Sequence, residues 1–318
     1  MKHATGILAA MIVMCGCGSL SPDEPARVSV RFRACVPVKS GTETSVDRLD
    51  LLVFRAVDGV IDTYASGIGP GAIEADVTAG YSLNWHLVAN APEGVFSGIT
   101  REEDFLLQNT LLSYNTVAAP VMHASGNKTF SSGEPTISAG LQRYVSKVSI
   151  GKVKVSWLEE FAQAPECILE TVALLNARGQ ICWEGTPSAS ATGIWYNRSG
   201  IEVIQDASAP LLVQDPNLVM GTSPVETGTE LYAMPNPSEN EQMRTRLVLG
   251  LRVDGFLQWY PIILPAMRCN THYRVENLFI TGPGAPEPDG VIDRSSIGFN
   301  LEIRPWGSNT SDVEFATN

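Results

Sequence analysis

The strongest constraint on the fold is a series of short apolar runs that repeat every second residue and are separated by turn residues. In "RVSVRF" (27–32), the apolar side chains Val28, Val30 and Phe32 alternate with polar ones. Successive side chains of a strand point to opposite faces, so this pattern predicts a strand with one buried face. Comparable runs recur along the chain, with 28 Gly and 20 Pro available for turns. The sequence therefore predicts an all-β protein.

The N-terminal segment has the features of a secretory signal. A basic start precedes an apolar stretch, 7–14, which is too short to cross a membrane as a mature helix. The segment resembles the signal of a bacterial lipoprotein, in which a small residue precedes the modified cysteine. Gly16 matches that position, so the resemblance implies that Cys17 carries the lipid. Residues 1–16 would then be the signal peptide and 17–26 a polar tether.

Composition excludes several classes of partner. The chain has 318 residues, of which 44% are hydrophobic, which is typical of a globular protein with a substantial core. Its net charge of −12 would repel nucleic acid and an anionic membrane surface. We therefore expect no nucleic-acid partner, and attachment to a membrane through the lipid alone.

One hairpin and one helix stand out from the local sequence. "RLDLLVFRAV" and "VIDTYAS" flank Asp58-Gly59, a dipeptide that favours a tight hairpin turn. Residues 100–116 are the clearest helix, because Thr100 and Glu103 have the spacing of a capping box and the first turn is acidic.

The remaining runs divide the chain into two β domains of comparable size. A boundary near 141 separates an N-terminal β-sandwich, 27–141, from a C-terminal one, 142–318. Within the second domain, 185–225 is rich in Gly, Ser, Pro and Asn and is predicted to be a loop-rich insertion.

The cysteines allow a disulfide framework outside the cytosol. Four cysteines remain beyond Cys17, and they permit three pairings into two bonds. Cys167 and Cys182 flank "ILETVALLNARGQI", which suggests two strands around an "NARG" turn and hence a bond across a hairpin. Free buried cysteines are the alternative. No Cys/His group has the spacing of a zinc site.

The sequence lacks the motifs of common enzymes. It contains no HExxH, no G-x-S-x-G nucleophile elbow and no P-loop. The acidic "PEPDGVID" (286–293) does not follow the calcium-loop pattern. We therefore expect no catalytic residue, no cofactor and no metal. Trp195 and Tyr196, in the loop-rich insertion, are candidates for a ligand-binding loop, although aromatic residues of β-sandwiches more often belong to the core.

The order of segments resembles the fimbrial subunits of Bacteroidales, the type V pilins with their tip and anchor relatives. Each motif alone is weak, and the resemblance rests on the ordered set from end to end. The matching segments are the lipobox at Cys17, "RVSVRF" (27–32), "VDRLDLLVFRAVDG" (46–59), "ADVTAGYSLNWHLVANAP" (75–92), "LQRYVSKVSIGKVKV" (141–155), "ELYAMPNPS" (230–238), "QWYPIIL" (258–264), "RCNTHYRVENLFITGPG" (268–284) and "IRPW" (303–306).

This resemblance implies two transthyretin-like (Greek-key) β-sandwich domains and export as a lipoprotein to the outer membrane and cell surface. In pilins of this family, an Arg-specific surface protease removes the first strand. The C-terminal strand of another fimbrial subunit then fills the groove. In such an exchange, the donor strand pairs with the backbone groups of the exposed sheet edge and covers the strip of apolar core beside it.

Mapped onto this chain, the displaced strand is 27–33, with Val28, Val30 and Phe32 facing the core. Arg33 is the best processing candidate and Arg48 the second. The match to a stalk subunit is poor for two reasons. Cleaved members of the family usually have an arginine in the loop after the first strand, whereas Arg33 abuts the strand itself. The tail "GSNTSDVEFATN" also has few of the alternating apolar residues that a donor strand needs. These departures favour a tip or anchor subunit, the tip with a host or bacterial surface receptor.

Two other hypotheses remain open. The chain could be a glycan-binding surface lipoprotein of a nutrient-capture system that uses Trp195 and Tyr196. A secreted hydrolase is the third, and the missing catalytic motifs argue against it.

Overall fold

The computed structural model describes residues 25–36, 43–69, 71–131, 136–160, 165–184, 193–307 and 314–316. Its first part contains nine strands and one α-helix. These are β1 (Arg27–Cys35), β2 (Arg48–Arg55), β3 (Ile61–Ile68), β4 (Ala72–Thr78), β5 (Ser82–Ala89), α1 (Glu102–Leu107), β6 (Asn109–Leu111), β7 (Met122–Thr129), β8 (Thr136–Gly140) and β9 (Gln142–Arg143).

The rest of the described chain is also mainly strand. The elements are β10 (Ser146–Val155), β11 (Cys167–Leu175), β12 (Ala177–Arg178), β13 (Gln180–Cys182), β14 (Trp195–Tyr196), α2 (Ala209–Leu212), β15 (Val213–Gln214), β16 (Leu218–Val219), β17 (Val225–Glu226), β18 (Glu230–Ala233), β19 (Arg246–Val253), β20 (Phe256–Ile263), β21 (Thr271–Ile280), β22 (Ile297–Pro305) and β23 (Glu314–Ala316). The predicted all-β class with a short helix is confirmed.

Eight of the first nine strands form two facing sheets, and β6 belongs to neither of them. Sheet I has the order β4-β1-β8, and sheet II has the order β3-β2-β5-β7-β9. β2 and β3 form the predicted antiparallel hairpin, with Gly59 at φ 68° in its turn. A hydrophobic core fills the space between the sheets, and alternate residues of each strand supply it.

Two further sheets pack together in the second part of the chain. Sheet III has the order β17-β10-β21-β22-β23, with β18 also paired to β10. Sheet IV has the order β15-β11-β19-β20, with β16 also paired to β11. β10 and β21 are parallel, whereas β19 and β20 form an antiparallel hairpin.

The two parts share hydrophobic contacts. β2 is buried along nearly its whole length because sheet II is covered on both faces. Leu51 and Val53 face the core between sheets I and II, whereas Leu52 and Phe54 join the large cluster that contains the core of sheets III and IV. β6 crosses into the second part and pairs with β13.

The predicted helix is much shorter than 100–116. α1 has six residues, its N-cap is Arg101, and no side chain caps it by a hydrogen bond. The capping-box prediction is wrong because the Glu103 carboxylate accepts a hydrogen bond from Arg101 Nε at 2.6 Å. The chain leaves the helix at Gln108 because the next three residues form β6, whose pairing with β13 overrides helix propensity.

The division at 141 stays a prediction, and β9, just after that position, still belongs to sheet II. In the predicted insertion, the residues from 193 onward are more ordered than a loop. They contain α2 and the short strands β14 to β17, which pair with β10, β11 and β12.

Candidate functional site

The predicted displaced strand, β1, is the central strand of sheet I. It pairs antiparallel with β4 and parallel with β8. Val30 and Phe32 are 1% and 0% exposed, and Val28 packs at the margin of the same core. The Phe32 ring lies 5.7 Å from the Trp85 ring and 6.1 Å from the Phe130 ring, centroid to centroid. The three side chains therefore share the core face, as their alternation predicts.

Burial of this strand contributes substantially to stability. Complete burial of one Val and one Phe side chain contributes about 3 to 6 kcal/mol in total. The strand also closes backbone ladders with two neighbours, whose edges would be exposed without it. Removing β1 would open a slot between β4 and β8 that is lined by aromatic rings.

Both processing candidates lie inside sheets. The Arg33 side chain is exposed, but its backbone is paired with Ala72 on one side and Ser138 on the other. Arg48 begins β2 between β3 and β5, and its Nε donates to Asp50 Oδ2 at 3.0 Å. Proteolysis normally occurs at exposed loops. Cleavage at either residue would therefore require local opening of a sheet.

The candidate ligand-binding pair lies on β14. The guanidinium carbons of Arg178 and Arg198 lie over the Trp195 ring, 4.8 and 5.5 Å from its centroid. The Tyr196 hydroxyl donates to Asp206 Oδ2 at 2.8 Å, and burial raises its pKa. A sugar stacked on Trp195 would have to compete for the ring face with Arg178 and Arg198, which already contact it.

The predicted Cys167–Cys182 bond is wrong, because both residues are free thiols. β11 does not return on itself as a hairpin. At Asn176 (φ 49°) the chain turns away, and β12 and β13 pair with β14 and β6 instead. Burial raises the pKa of the Cys167 thiol to about 11, and the Cys182 thiol donates to Asn109 Oδ1 at 3.6 Å.

Three other expectations concern the membrane, metals and the lipid. Cys17 lies outside the described residues. Within the described ranges, no helix is long and apolar enough to span a membrane. The same part of the chain contains no group of three or more His, Cys, Asp or Glu residues arranged to hold a metal ion.

A buried ionic group joins the segment after β1 to sheet III. The Glu43 carboxylate accepts hydrogen bonds from Lys147 Nζ (2.6 Å), the Tyr232 hydroxyl (2.6 Å) and Trp306 Nε1 (3.1 Å). Arg143 lies over the Trp306 ring at 4.5 Å and donates to the Glu43 carbonyl oxygen at 3.1 Å. We call these five residues the Glu43 cluster.

The electrostatics of the Glu43 cluster favour an ionised carboxylate. Burial opposes the charge on Glu43, but the hydrogen bonds from Lys147, Tyr232 and Trp306 and the charge of Lys147 outweigh it and hold its pKa below the usual value. Lys147 Nζ also contacts Glu230 Oε1 at 2.6 Å. Sequence reasoning missed this cluster because its members are far apart in the chain and resemble ordinary polar residues.

A second buried polar chain connects sheet II to the second part of the molecule. His86 Nε2 lies 2.9 Å from Glu102 Oε1, His86 Nδ1 lies 3.1 Å from His123 Nε2, and His123 Nδ1 lies 2.9 Å from the Tyr144 hydroxyl. We call these four residues the histidine chain. The Tyr144 hydroxyl also lies 2.5 Å from the Trp183 carbonyl oxygen, which can only accept, so its single proton serves either that oxygen or His123 Nδ1.

The histidine chain is held neutral by burial. Burial lowers the pKa of His123 to about 3, and the neighbouring His86 adds to the effect. Burial also lowers the pKa of His86, although Glu102 opposes that shift. No spacing signal in the sequence links His86 and His123, because they lie on different strands, β5 and β7.

Solved structures with a similar fold come from Bacteroides and Porphyromonas species. A candidate cell adhesion protein from Bacteroides eggerthii gives a TM-score of 0.67 at 16% identity, over 89% of this chain and 96% of that chain. A fimbrilin (FimA) from Porphyromonas gingivalis gives 0.63 at 15% identity, over 87% and 97%. The tip fimbrial protein Mfa3 from Porphyromonas gingivalis, truncated at its C-terminus, gives 0.55 at 16% identity, over 88% and 100%.

No protein-family model and no curated protein sequence matches the chain. The similarity to the solved structures is therefore one of three-dimensional arrangement at low identity, and it extends over nearly their whole length. The chain has the fold of the Bacteroidales fimbrilins and candidate cell adhesion proteins.

Proposed function

We propose that the protein is a non-catalytic structural subunit of a cell-surface fimbrium. The main support is the fold, which matches both a fimbrilin and a tip fimbrial protein over 87% and 88% of this chain. The ordered motifs of the sequence point to the same family. In this proposal, Cys17 carries a lipid during export, and the partners are other fimbrial subunits that bind through strand exchange.

Within the fimbrium, we assign the subunit to a tip, accessory or anchor position rather than to the main stalk. Arg33 and Arg48 lie in paired strands, so an Arg-specific protease has no exposed loop at either residue. β23 pairs with β22 of its own chain, from Leu301↔Ala316 to Ile303↔Glu314. A tail already paired with its own sheet is less available as a donor strand for a neighbour.

The abundance of the subunit in surface assemblies tests this proposal. Surface material from the source bacterium is separated by electrophoresis with and without boiling, and the protein is quantified against the major band. We expect it in high-mass, heat-labile assemblies as a minor component. A purely monomeric protein would contradict fimbrial assembly, and a protein that forms most of the assembly would contradict the terminal position.

The mature N-terminus separates an anchor from a processed tip. Mass spectrometry of the assembled protein should show either lipid on Cys17 or a chain that starts at Ala34. If Arg33 is the processing site, Arg33→Gln should prevent release of the first strand. Arg31→Gln is the matched control, because Arg31 is also exposed on β1 and its side chain makes only a long ion pair with Glu74, at 3.9 Å.

A further inference from the structure

A polar cavity of about 400 Å³ lies beside the Glu43 cluster, on the outer face of sheet III. Its floor comes from alternate residues of three adjacent strands. Lys147 and Ser149 belong to β10, His272 and Arg274 to β21, and Arg304 to β22. Strand register places Lys147 beside His272 and Ser149 beside Arg274, so these side chains form a compact grid.

Cations are concentrated at this cavity in an otherwise acidic chain. Four basic side chains line it although the whole chain has a net charge of −12. Three acidic side chains also line it. The basic residues are Arg143, Lys147, Arg274 and Arg304, and the acidic ones are Glu43, Glu226 and Glu230. Burial lowers the pKa of His272 to about 3, and the neighbouring cations Lys147, Arg304 and Arg274 add to the effect.

Two lining residues have buried polar groups without protein partners. Among the described residues, no hydrogen-bond partner is found for Arg143 Nε, Arg143 Nη1 or Thr229 Oγ1. Both residues are only 2% exposed. A buried donor or acceptor without a partner costs about 1 to 3 kcal/mol, and native proteins contain few of them. Their presence at one polar cavity suggests that the site is built for a ligand.

The chemistry of the lining selects the class of ligand. A guanidinium group forms paired hydrogen bonds with a carboxylate, and Arg274 and Arg304 are both partly exposed at the cavity. Each already pairs with a carboxylate of its own strand, Arg274 with Glu276 at 2.9 Å and Arg304 with Glu302 at 3.5 Å, so a ligand would share or displace these partly exposed partners. A doubly charged phosphate would be repelled more strongly than a carboxylate by the acidic side chains. Those same side chains, with Thr229, can accept hydrogen bonds from hydroxyl groups. The volume suits a single ring-sized molecule.

We propose that this cavity binds a carboxylate-bearing monosaccharide unit, such as a uronic acid or a nonulosonic acid. The carboxylate would contact Arg274 and Arg304, and the hydroxyl groups would contact the acidic wall and, once its side chain rotates towards the cavity, the Thr229 hydroxyl. This proposal does not depend on the fimbrial function, because binding can be measured on the isolated protein whether or not it assembles.

Calorimetric titration of the purified full-length mature protein tests the proposal. The probes are glucuronic acid, galacturonic acid and N-acetylneuraminic acid, with glucose and sulfate as controls. We expect saturable binding of at least one acid and none of glucose. Absence of binding by all three acids, equal binding of glucose, or full competition by sulfate at the concentration of the acid would overturn it.

One variant and its matched control locate the binding to this cavity. Arg274→Gln should weaken binding of the acid about tenfold, which is the loss expected for one charge-assisted hydrogen bond. Arg252→Gln is the matched control, because Arg252 also forms a partly exposed ion pair, with Glu170 on sheet IV. Binding by the Arg274 variant that equals that of the Arg252 variant would place the ligand elsewhere.

Thr229→Val separates ligand binding from folding. Because the Thr229 hydroxyl has no partner among the described residues, the nearly isosteric valine should leave the melting temperature unchanged or higher. The affinity for the acid should nevertheless fall severalfold. An unchanged affinity would remove the hydroxyl contact from the proposal.

Binding of the acid as a terminal residue on a glycan array would identify a surface glycan as the source, whereas binding of the free acid alone would identify a soluble sugar.

Discussion

At the residue scale, the Glu43 cluster shows how one polar side chain can connect distant parts of a chain. Glu43 lies between β1 and β2, yet its carboxylate accepts hydrogen bonds from β10, β18 and the residue that follows β22. The arrangement stabilises the fold only while every partner is present, since a buried charge that loses its partner is costly.

Glu43→Gln tests this dependence. The substitution leaves Lys147 buried with one carboxylate instead of two, so we expect a loss of about 3 kcal/mol in the free energy of unfolding. Urea denaturation measures it. Glu226→Gln is the control, because its ion pair with Lys152 is exposed and should contribute less than about 1 kcal/mol. Equal losses for the two variants would show that the cluster is not a stabilising element.

At the scale of elements, β1 combines a simple sequence pattern with an unexpected position. Its alternation identifies the buried face, and Val30 and Phe32 lie on that face. Its parallel pairing with β8 cannot be read from alternation, because the partner lies more than 100 residues away. This central position makes β1 an integral part of the core rather than an easily released edge.

Phe32→Ala measures how strongly β1 is held. Removing a fully buried phenylalanine should lower the free energy of unfolding by about 3 to 5 kcal/mol, because transfer energy and a cavity both contribute. Phe256→Ala is the matched control, since Phe256 is 76% exposed and should have little effect. Similar stabilities for the two variants would show that β1 contributes little to the core.

Gly126→Ala tests the packing of β7 against β5. A Cβ at this position would lie 2.6 Å from Trp85 Cζ2, so the indole ring would have to move. We expect a loss of about 1 to 3 kcal/mol, typical of overpacking. Gly140→Ala on β8 is the control, because no atom lies within 4 Å of its added Cβ. Denaturation curves of the two variants should differ clearly, and coincident curves would contradict this description of the contact.

At the scale of the whole molecule, buried neutral histidines connect stability to pH. The histidine chain lies where sheet II meets the second part of the chain, and His272 lies on sheet III. Both His123 and His272 have a pKa lowered to about 3 in the folded protein. The unfolded chain therefore binds more protons than the folded chain between about pH 3 and 6.5.

We accordingly expect that neutral burial of these histidines does not reduce the free energy of unfolding above about pH 6.5. Below that pH, the free energy of unfolding should fall as the pH is lowered. Between pH 7 and pH 5, each histidine with these values should reduce the free energy of unfolding by about 2 kcal/mol. Urea denaturation at several pH values measures the slope, and His123→Gln should make it shallower. A slope that the substitution leaves unchanged would contradict neutral burial of His123.

Much of the fold class follows from the sequence alone. The two-residue repeat of apolar residues identifies strands, and the Asp58-Gly59 turn identifies the hairpin of β2 and β3, because both depend on neighbouring residues. The longer helix and the Cys167–Cys182 bond were wrong for a common reason. Segments with suitable local patterns, such as β6 and β13, pair with each other across the molecule instead.

The candidate sites depended on tertiary structure. The Glu43 cluster brings together residues from 43 to 306, and the histidine chain joins residues from 86 to 144. Sequence periodicity determined which face of each strand is buried, since that property repeats locally. Tertiary structure decided which buried polar groups meet, because their hydrogen bonds form only after distant strands have paired.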